Sequence, residues 1–131
     1  MAATETYPDD LLYHREHDWA RIEDGEAVLG ITWFAQDSLG ELVHYEAPEA
    51  GAHVAKDATY GEVESVKAVS DLISPLSGEI VEVNQKVVDA PETVNEDPYG
   101  DGWLVRIRLH DASEAEGLLD AAAYRQHVAE L

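Results

Sequence analysis

Gly61-Glu62-Val63-Glu64-Ser65-Val66-Lys67-Ala68-Val69-Ser70-Asp71 is the stretch that decides how this chain is read. Two runs of strand-forming residues, Thr59–Val66 and Val69–Ile73, stand on either side of Lys67-Ala68. That pattern predicts a hairpin with Lys67 held out at its tip. Lys67 is one of three lysines in the chain. An isolated amine on rigid flanks is what an attachment enzyme needs to hang a cofactor on one lysine and no other. The chain has no cysteine. Any redox sulfur it uses must therefore come from outside, and a disulfide scaffold, a thiolate metal site and a cysteine nucleophile are excluded.

Outward from the hairpin, Pro75-Leu76-Ser77-Gly78 predicts a turn into a third strand, Glu79–Val83. Gly61-Glu62-Val63-Glu64-Ser65-Val66 and Gly78-Glu79-Ile80-Val81-Glu82-Val83 echo one another. The echo suggests two related hairpin halves packed face to face; two Val/Glu-alternating strands that merely look alike are the alternative. Upstream, Trp19–Ile22 and Ala27–Ile31 flank Asp24-Gly25, a favoured two-residue turn. Thr32 is placed to cap a short helix Trp33–Leu39 that Gly40 ends. Leu42-Val43-His44-Tyr45 resumes strand character, and Pro48 and Gly51 mark a turn.

Downstream, Asp89–Gly102 reads as a polar loop containing Pro91 and Pro98. In Trp103–Leu109, the residues Trp103, Val105, Ile107 and Leu109 alternate with Leu104, Arg106 and Arg108. This predicts a half-buried strand with a basic outer face. Ser113-Glu114-Ala115-Glu116 has the form of a capping box, and Asp120 can cap a last helix Ala121–Ala129. Many short strands, a few short helices and one core predict a small β-rich barrel or sandwich.

At 131 residues the chain reads as one domain, residues 1–131, with residues 1–10 a loosely ordered tail. No apolar run approaches a membrane span, and no basic stretch followed by an apolar one opens the chain. A cytoplasmic protein is expected. The formal net charge is -20, which repels phosphate backbones and anionic lipid, so neither nucleic acid nor membrane is an expected partner. The acidity has two readings: steering toward basic docking surfaces, weakened by salt, or plain solubility.

Several motifs point to one family. They are His17-Asp18-Trp19; Gly30-Ile31-Thr32 with Ala35-Gln36; Leu39-Gly40-Glu41; and Glu64-Ser65-Val66-Lys67-Ala68-Val69-Ser70-Asp71. Further along come Pro75-Leu76-Ser77-Gly78-Glu79 with Val83-Asn84; Asn95-Glu96-Asp97-Pro98-Tyr99-Gly100 with Gly102-Trp103; and Leu118-Leu119-Asp120. In this content and order the chain resembles the H proteins of the glycine cleavage system, from about Leu12 to Glu130. The long Asn95–Trp103 loop and the C-terminal helices set it apart from the shorter lipoyl modules of 2-oxo acid dehydrogenases.

The resemblance implies a mainly β fold, a flattened β-barrel or barrel–sandwich hybrid, with short helices and a C-terminal helix. It implies lipoate amide-linked to Lys67 by a lipoate-attachment enzyme, with Glu64, Ser65, Val66, Ala68 and Asp71 forming the attachment hairpin. Such an arm reaches roughly 12–15 Å. It would take an aminomethyl group from glycine on the P protein (glycine decarboxylase) and carry it to the T protein (aminomethyltransferase). The L protein (dihydrolipoamide dehydrogenase) would then reoxidise it. The carrier itself catalyses none of these steps; the cofactor brings the chemistry and the protein brings orientation and shelter. A monomer suits such a shuttle. By position, Glu16, Asp18 and Asp71 are candidate contacts for the protonated amine of a loaded arm. The alternative is that they belong to the acidic surface.

The chain departs from the family pattern at three places. Trp33 stands where an acid is common, which removes a favourable charge at a helix N-terminus and exposes an aromatic. Ala47 precedes Pro48 in place of leucine, and Glu16 replaces a small polar residue.

Other readings carry less. His14 and His17, with His44 and His53, have no geometry that supports a metal site. Asn95–Gly100 would put Arg106 where a calcium loop needs a bidentate glutamate. Ser38, Ser65, Ser70 and Ser77 belong to no recognisable nucleophile motif. Trp19 and Trp103 read as core and strand-end residues. Three further functions compete with the glycine-cleavage carrier: an H-like relay passing lipoyl or octanoyl groups to other carriers, a biotin carrier, and an unmodified acidic binding module. Biotin carriers usually flank their lysine with methionine; here Val66 and Ala68 do so.

Overall fold

The computed structural model describes residues 3–131. A short strand β1 (Leu12–Tyr13) leads into the hairpin β2 (Asp18–Glu23) and β3 (Glu26–Ile31). Asp24 and Gly25 both adopt positive φ, 48° and 82°. That backbone twist matches the twist of the flanking strands and closes the hairpin in two residues. Helix α1 (Trp33–Leu39) starts at Thr32, whose Oγ1 accepts the Ala35 amide at 3.2 Å, and ends at Gly40. Strands β4 (Leu42–Glu46), β5 (His53–Val54), β6 (Thr59–Ser65), β7 (Val69–Ile73) and β8 (Gly78–Val83) follow. Then come α2 (Gln85–Asp89), α3 (Thr93–Glu96), β9 (Val105–Leu109), a 3-10 turn (Ala112–Gly117) and α4 (Ala121–Ala129).

The strands form two antiparallel sheets. One runs β1-β2-β3-β9-β8-β5 and the other β4-β6-β7. Their inner faces share one core: Leu29, Ile31, Ile80 and Ile107 from the first sheet meet Leu42, Tyr45, Val63 and Leu72 from the second. This is the expected barrel–sandwich arrangement, with the two sheets unjoined among the described residues. The two echoing segments fall in opposite sheets, as β6 and β8. Each begins at a close backbone approach. A Cβ on Gly61 would lie 2.6 Å from the Glu46 carbonyl oxygen, and one on Gly78 would run into that of Arg108.

A second cluster covers the outer face of β2 and β3. Trp19 and Val28 pack there with Tyr7, Leu11, Tyr13 and Tyr124 of α4. Tyr13 and Tyr124 stack at 4.7 Å. Within the segment read as a loose tail, residues 3–10 make contacts in this layer, while Met1 and Ala2 lie outside the described residues. Tyr7 is buried, and the Tyr7 and Thr6 carbonyls accept from Arg125 and Tyr99. Trp33 belongs to this layer too: its indole donates to the Ala3 carbonyl at 2.9 Å instead of standing free. No acid lies in the first turn of α1.

Three sequence expectations change. The polar loop Asp89–Gly102 holds α3 and is preceded by α2, because Val87 and Val94 each find the core within a single turn of helix. Leu104 is fully buried, not outward, since β9 pairing begins only at Val105 and the Leu104 amide reaches back to the Leu29 carbonyl. Asp111, not Ser113, caps the 3-10 turn. Glu114 instead crosses to the Ser77 amide and hydroxyl, at 2.8 and 2.9 Å.

Candidate functional site

Lys67 sits at the β6–β7 tip. Glu64 and Val69 are the last residues paired, and Val66-Lys67-Ala68 turn the chain within the span that Ser65 closes. Three groups lock this turn. The Ser65 amide donates to the Ala68 carbonyl at 2.7 Å. The Ser65 hydroxyl oxygen accepts the amides of Lys67 at 3.2 Å and Ala68 at 3.1 Å. From outside the hairpin, the Val66 amide donates to the Glu41 carbonyl at 3.3 Å. The backbone under the lysine is thus held from two sides while its side chain stays exposed. No ion pair engages Lys67 among the described residues, although acids stand close in sequence on both sides.

The Lys67 side chain crosses Gly40 at the end of α1; a Cβ on Gly40 would stand 3.7 Å from the Lys67 Cε. Gly40 has φ 84° and ψ -161°, a conformation almost reserved for glycine. Asn95 pins this corner. Its amide nitrogen donates to the Gly40 carbonyl at 2.9 Å and to Gln36 Oε1 at 3.0 Å, and its oxygen accepts the Leu42 amide at 2.9 Å. An open groove of about 370 Å³ runs past Gln36, Gly40, Glu41 and Asn95. Neither Asn95 nor Gln36 was read from the sequence as a support for the lysine. Their only signal was membership of motifs, because each partner lies more than fifty residues away along the chain.

The acids read as possible arm contacts occupy three different settings. Asp71 is exposed on β7, directly across from Glu62. Glu16 is exposed and lines a second groove of about 600 Å³ with His14, His17, Asp57, Ile73 and His127. Asp18 lies beneath the surface, 2% exposed, and its Oδ2 has no hydrogen-bond partner. Burial pushes its carboxyl well above the ordinary range; the Ile73 amide works the other way and Glu16 adds to the rise. The Tyr60 hydroxyl is also buried without a partner, and its pKa is raised by burial and then by Asp18. Burial therefore disfavours ionisation of both this carboxyl and this phenol.

The histidines nearby are otherwise engaged. His14 Nε2 meets Asp57 Oδ1 at 2.6 Å, and His17 Nδ1 meets the Tyr124 hydroxyl at 2.8 Å. Burial lowers the His17 pKa. The Asn95–Gly100 segment folds on itself, with Asp97 accepting the amides of Gly100 and Asp101. Its Pro98 carbonyl accepts the Trp19 indole at 3.1 Å, so the loop is tied to the outer layer over β2.

Comparison with known proteins then decides the family. The sequence profile described as Glycine cleavage H-protein matches residues 11–131. The chain belongs to the glycine cleavage H-protein family. A glycine cleavage system H protein from Halorhodospira halophila is 54% identical, over 94% of this chain and 95% of its own. One from Marinobacter nauticus is 53% identical, over 93% and 95%. The crystal structure of a glycine cleavage system H protein from Mycobacterium marinum superposes with a TM-score of 0.85 at 41% identity, covering 94% of this chain and 99% of that one. In this H-protein family member, no helix among the described residues is long and apolar enough to cross a membrane.

Proposed function

We propose that this chain is the lipoyl carrier of the glycine cleavage system and that Lys67 is its attachment residue. The observation that carries the reading is an exposed, unpaired lysine on a turn whose backbone is tied at Ser65 and Glu41. When bound, lipoate supplies a sulfur pair that accepts and releases the aminomethyl group of glycine. The chain's own part is to hold and orient. Ser65 fixes the tip, so that motion is confined to the side chain and the arm beyond it. The Lys67 methylenes pass Gly40, whose backbone conformation and not its lack of a side chain calls for glycine.

The partners are the P, T and L proteins in turn, and the carrier catalyses none of their steps. Asp71, Glu16 and Asp18 support a resting place for a loaded arm. Asp18 would serve there differently from the exposed acids. Its burial disfavours the charged form, and a protonated amine brought beside it would favour that form. We further propose that residues 1–131 act as one carrier unit.

Intact mass after co-expression with a lipoate-attachment enzyme tests the central claim. A single lipoyl adduct is expected on the wild type and none on Lys67→Arg. No adduct on the wild type, or an equal one on the variant, overturns it. Glycine–bicarbonate exchange with the P protein then separates a glycine-cleavage carrier from a lipoyl relay.

A further inference from the structure

The outer face of the β4-β6-β7 sheet is uncovered, and its surface is ordered in two rows. The row nearest the tip carries three exposed valines around Glu64 and His44, which share its last rung. Val43, Val66 and Val69 are 49%, 70% and 58% exposed, half of the six large hydrophobic side chains that are exposed. They converge on the lysine. Val69 pairs with Glu64 across the last rung of the hairpin, and Val66 adjoins Lys67. Val43 joins them because β4 is irregular at this point. The register shifts between Leu42 and His44, so Leu42 faces Ser65 and His44 faces Glu64, with Val43 left over between them. Such an extra residue is pushed out of the ladder. Without the shift the strand alternation would run on unbroken.

The second row is acidic. Glu46 pairs with Glu62, and Glu62 pairs with Asp71, so three exposed carboxylates stand side by side across all three strands. Like charges directly opposite one another weaken a sheet. Glu46 has the His44 ring nitrogen at 3.0 Å, whereas no side chain pairs with the Glu62 or Asp71 carboxylate among the described residues. A row that costs the fold stability, placed two residues (~7 Å) behind exposed valines, has the form of half an interface.

We propose that this two-row face is the docking surface for the enzyme that acylates Lys67. That enzyme would present an apolar contact beside its acyl-binding tunnel and basic side chains about 7 Å behind it. The inference rests on Lys67 being the attachment residue, and reach selects this partner over the others. The lysine nitrogen stands only about 6 Å from its own Cα, and acyl transfer needs it within about 3 Å of the reacting carbonyl. The attachment enzyme must therefore lie against the tip. An enzyme that uses the finished arm meets its end roughly 12–15 Å out and can do without the valines. In the transfer itself the neutral amine attacks the carbonyl of an activated lipoyl ester and forms the amide C–N bond. The C–O bond to the leaving group breaks, the leaving group keeps the electron pair, and the surplus amine proton goes to water.

Two double variants test the face: Val43→Thr with Val69→Thr, which keeps shape and strand preference, and Glu46→Gln with Glu62→Gln, which keeps size. Acylation is followed by intact mass at varied carrier concentration. In parallel, the Kd of the attachment enzyme is measured on a Lys67→Arg background, where no chemistry occurs. Each double variant is expected to raise both KM and Kd about fivefold or more and to leave kcat within twofold. The glutamine pair is also expected to flatten the salt dependence of Kd. Preloaded variants should be reduced by dihydrolipoamide dehydrogenase at the wild-type rate. Unchanged KM and Kd in both variants overturn the docking face, and an equal loss in the reduction assay overturns its assignment to the attachment enzyme. A wild type that takes no adduct at all is a separate outcome, which removes the carrier reading itself.

Discussion

Ser65 holds Lys67 by the backbone: its hydroxyl oxygen accepts the Lys67 amide at 3.2 Å and, at 3.1 Å, the next amide as well. The residue is 4% exposed, so the bonds lie under the tip and not on it. Ser65→Ala leaves two amides without their acceptor, at a cost of about 1–2 kcal/mol. Hydrogen exchange at Lys67 and Ala68 should quicken by about tenfold while the core amides keep their rates. Ser65→Thr retains the oxygen and should restore slow exchange. If the tip amides exchange no faster in Ser65→Ala, the turn is held by Glu41 and the Ser65–Ala68 backbone bond alone.

Asn95 is the support with the longest sequence reach. It bonds Gln36, Gly40 and Leu42 at once, joining the end of α1 to the start of β4 directly beneath the lysine. Asn95→Ala deprives three partly buried groups of their partner, and about 3 kcal/mol of stability should go with it. Asn95→Asp keeps the acceptor for Leu42 but turns a charge toward two oxygens, so it should be no better at neutral pH. Urea midpoints for the two variants check this. A midpoint within error of wild type for Asn95→Ala would mean that water replaces the side chain.

These two residues show what sequence can and cannot convey here. Lys67 was legible because local signals agreed: strand formers on both sides, a turn between them and a lone amine. The Asp24-Gly25 turn, the Thr32 and Asp120 caps and the alternation in β6 are likewise local, and each stands where the residues put it. Asn95 and Asp18 were legible only as members of motifs, because what they do depends on groups brought in by the fold. The short helices α2 and α3 were hidden for a related reason. Runs of five and four residues carry too little periodicity to outweigh the prolines around them. Leu104 misled because strict alternation was extended one residue beyond the paired strand.

Gly61 gives a sharper test of the sheet beneath the docking face. A Cβ there would sit 2.6 Å from the Glu46 carbonyl oxygen, which is backbone and cannot swing aside. Gly61→Ala must therefore part β4 from β6 or move the Glu46 peptide, at about 1–3 kcal/mol. Because Glu46 and Glu62 are paired there, the damage should fall on the β4 edge of the second sheet. Gly25→Ala has open space and only an unfavourable φ, so it should cost less, about 1 kcal/mol. Thermal melts of the two variants compare them directly. A smaller loss for Gly61→Ala than for Gly25→Ala would contradict the close approach.

Asp18 supplies the pH test. Its folded carboxyl titrates well above the ordinary aspartate value of 3.8 because it is buried, with Glu16 adding to the rise and the Ile73 amide opposing it; the partnerless Tyr60 hydroxyl is its neighbour. A carboxyl whose folded pKa lies above its unfolded value keeps its proton in the native state after the unfolded chain has lost it. The stability tied to that proton is complete below pH 3.8 and falls as pH rises from there toward the folded pKa. Asp18→Asn is neutral throughout and lacks that decline, while its oxygen can still face the Ile73 amide. Urea midpoints measured every half unit from pH 4 to pH 8 should show the variant gaining on wild type as pH rises. The remaining carboxylates are common to both proteins, so the difference isolates this one. Two parallel curves would mean that Asp18 is ionised and solvated in the native state. That result would also remove the reason for setting it apart from the exposed acids as a contact for a loaded arm.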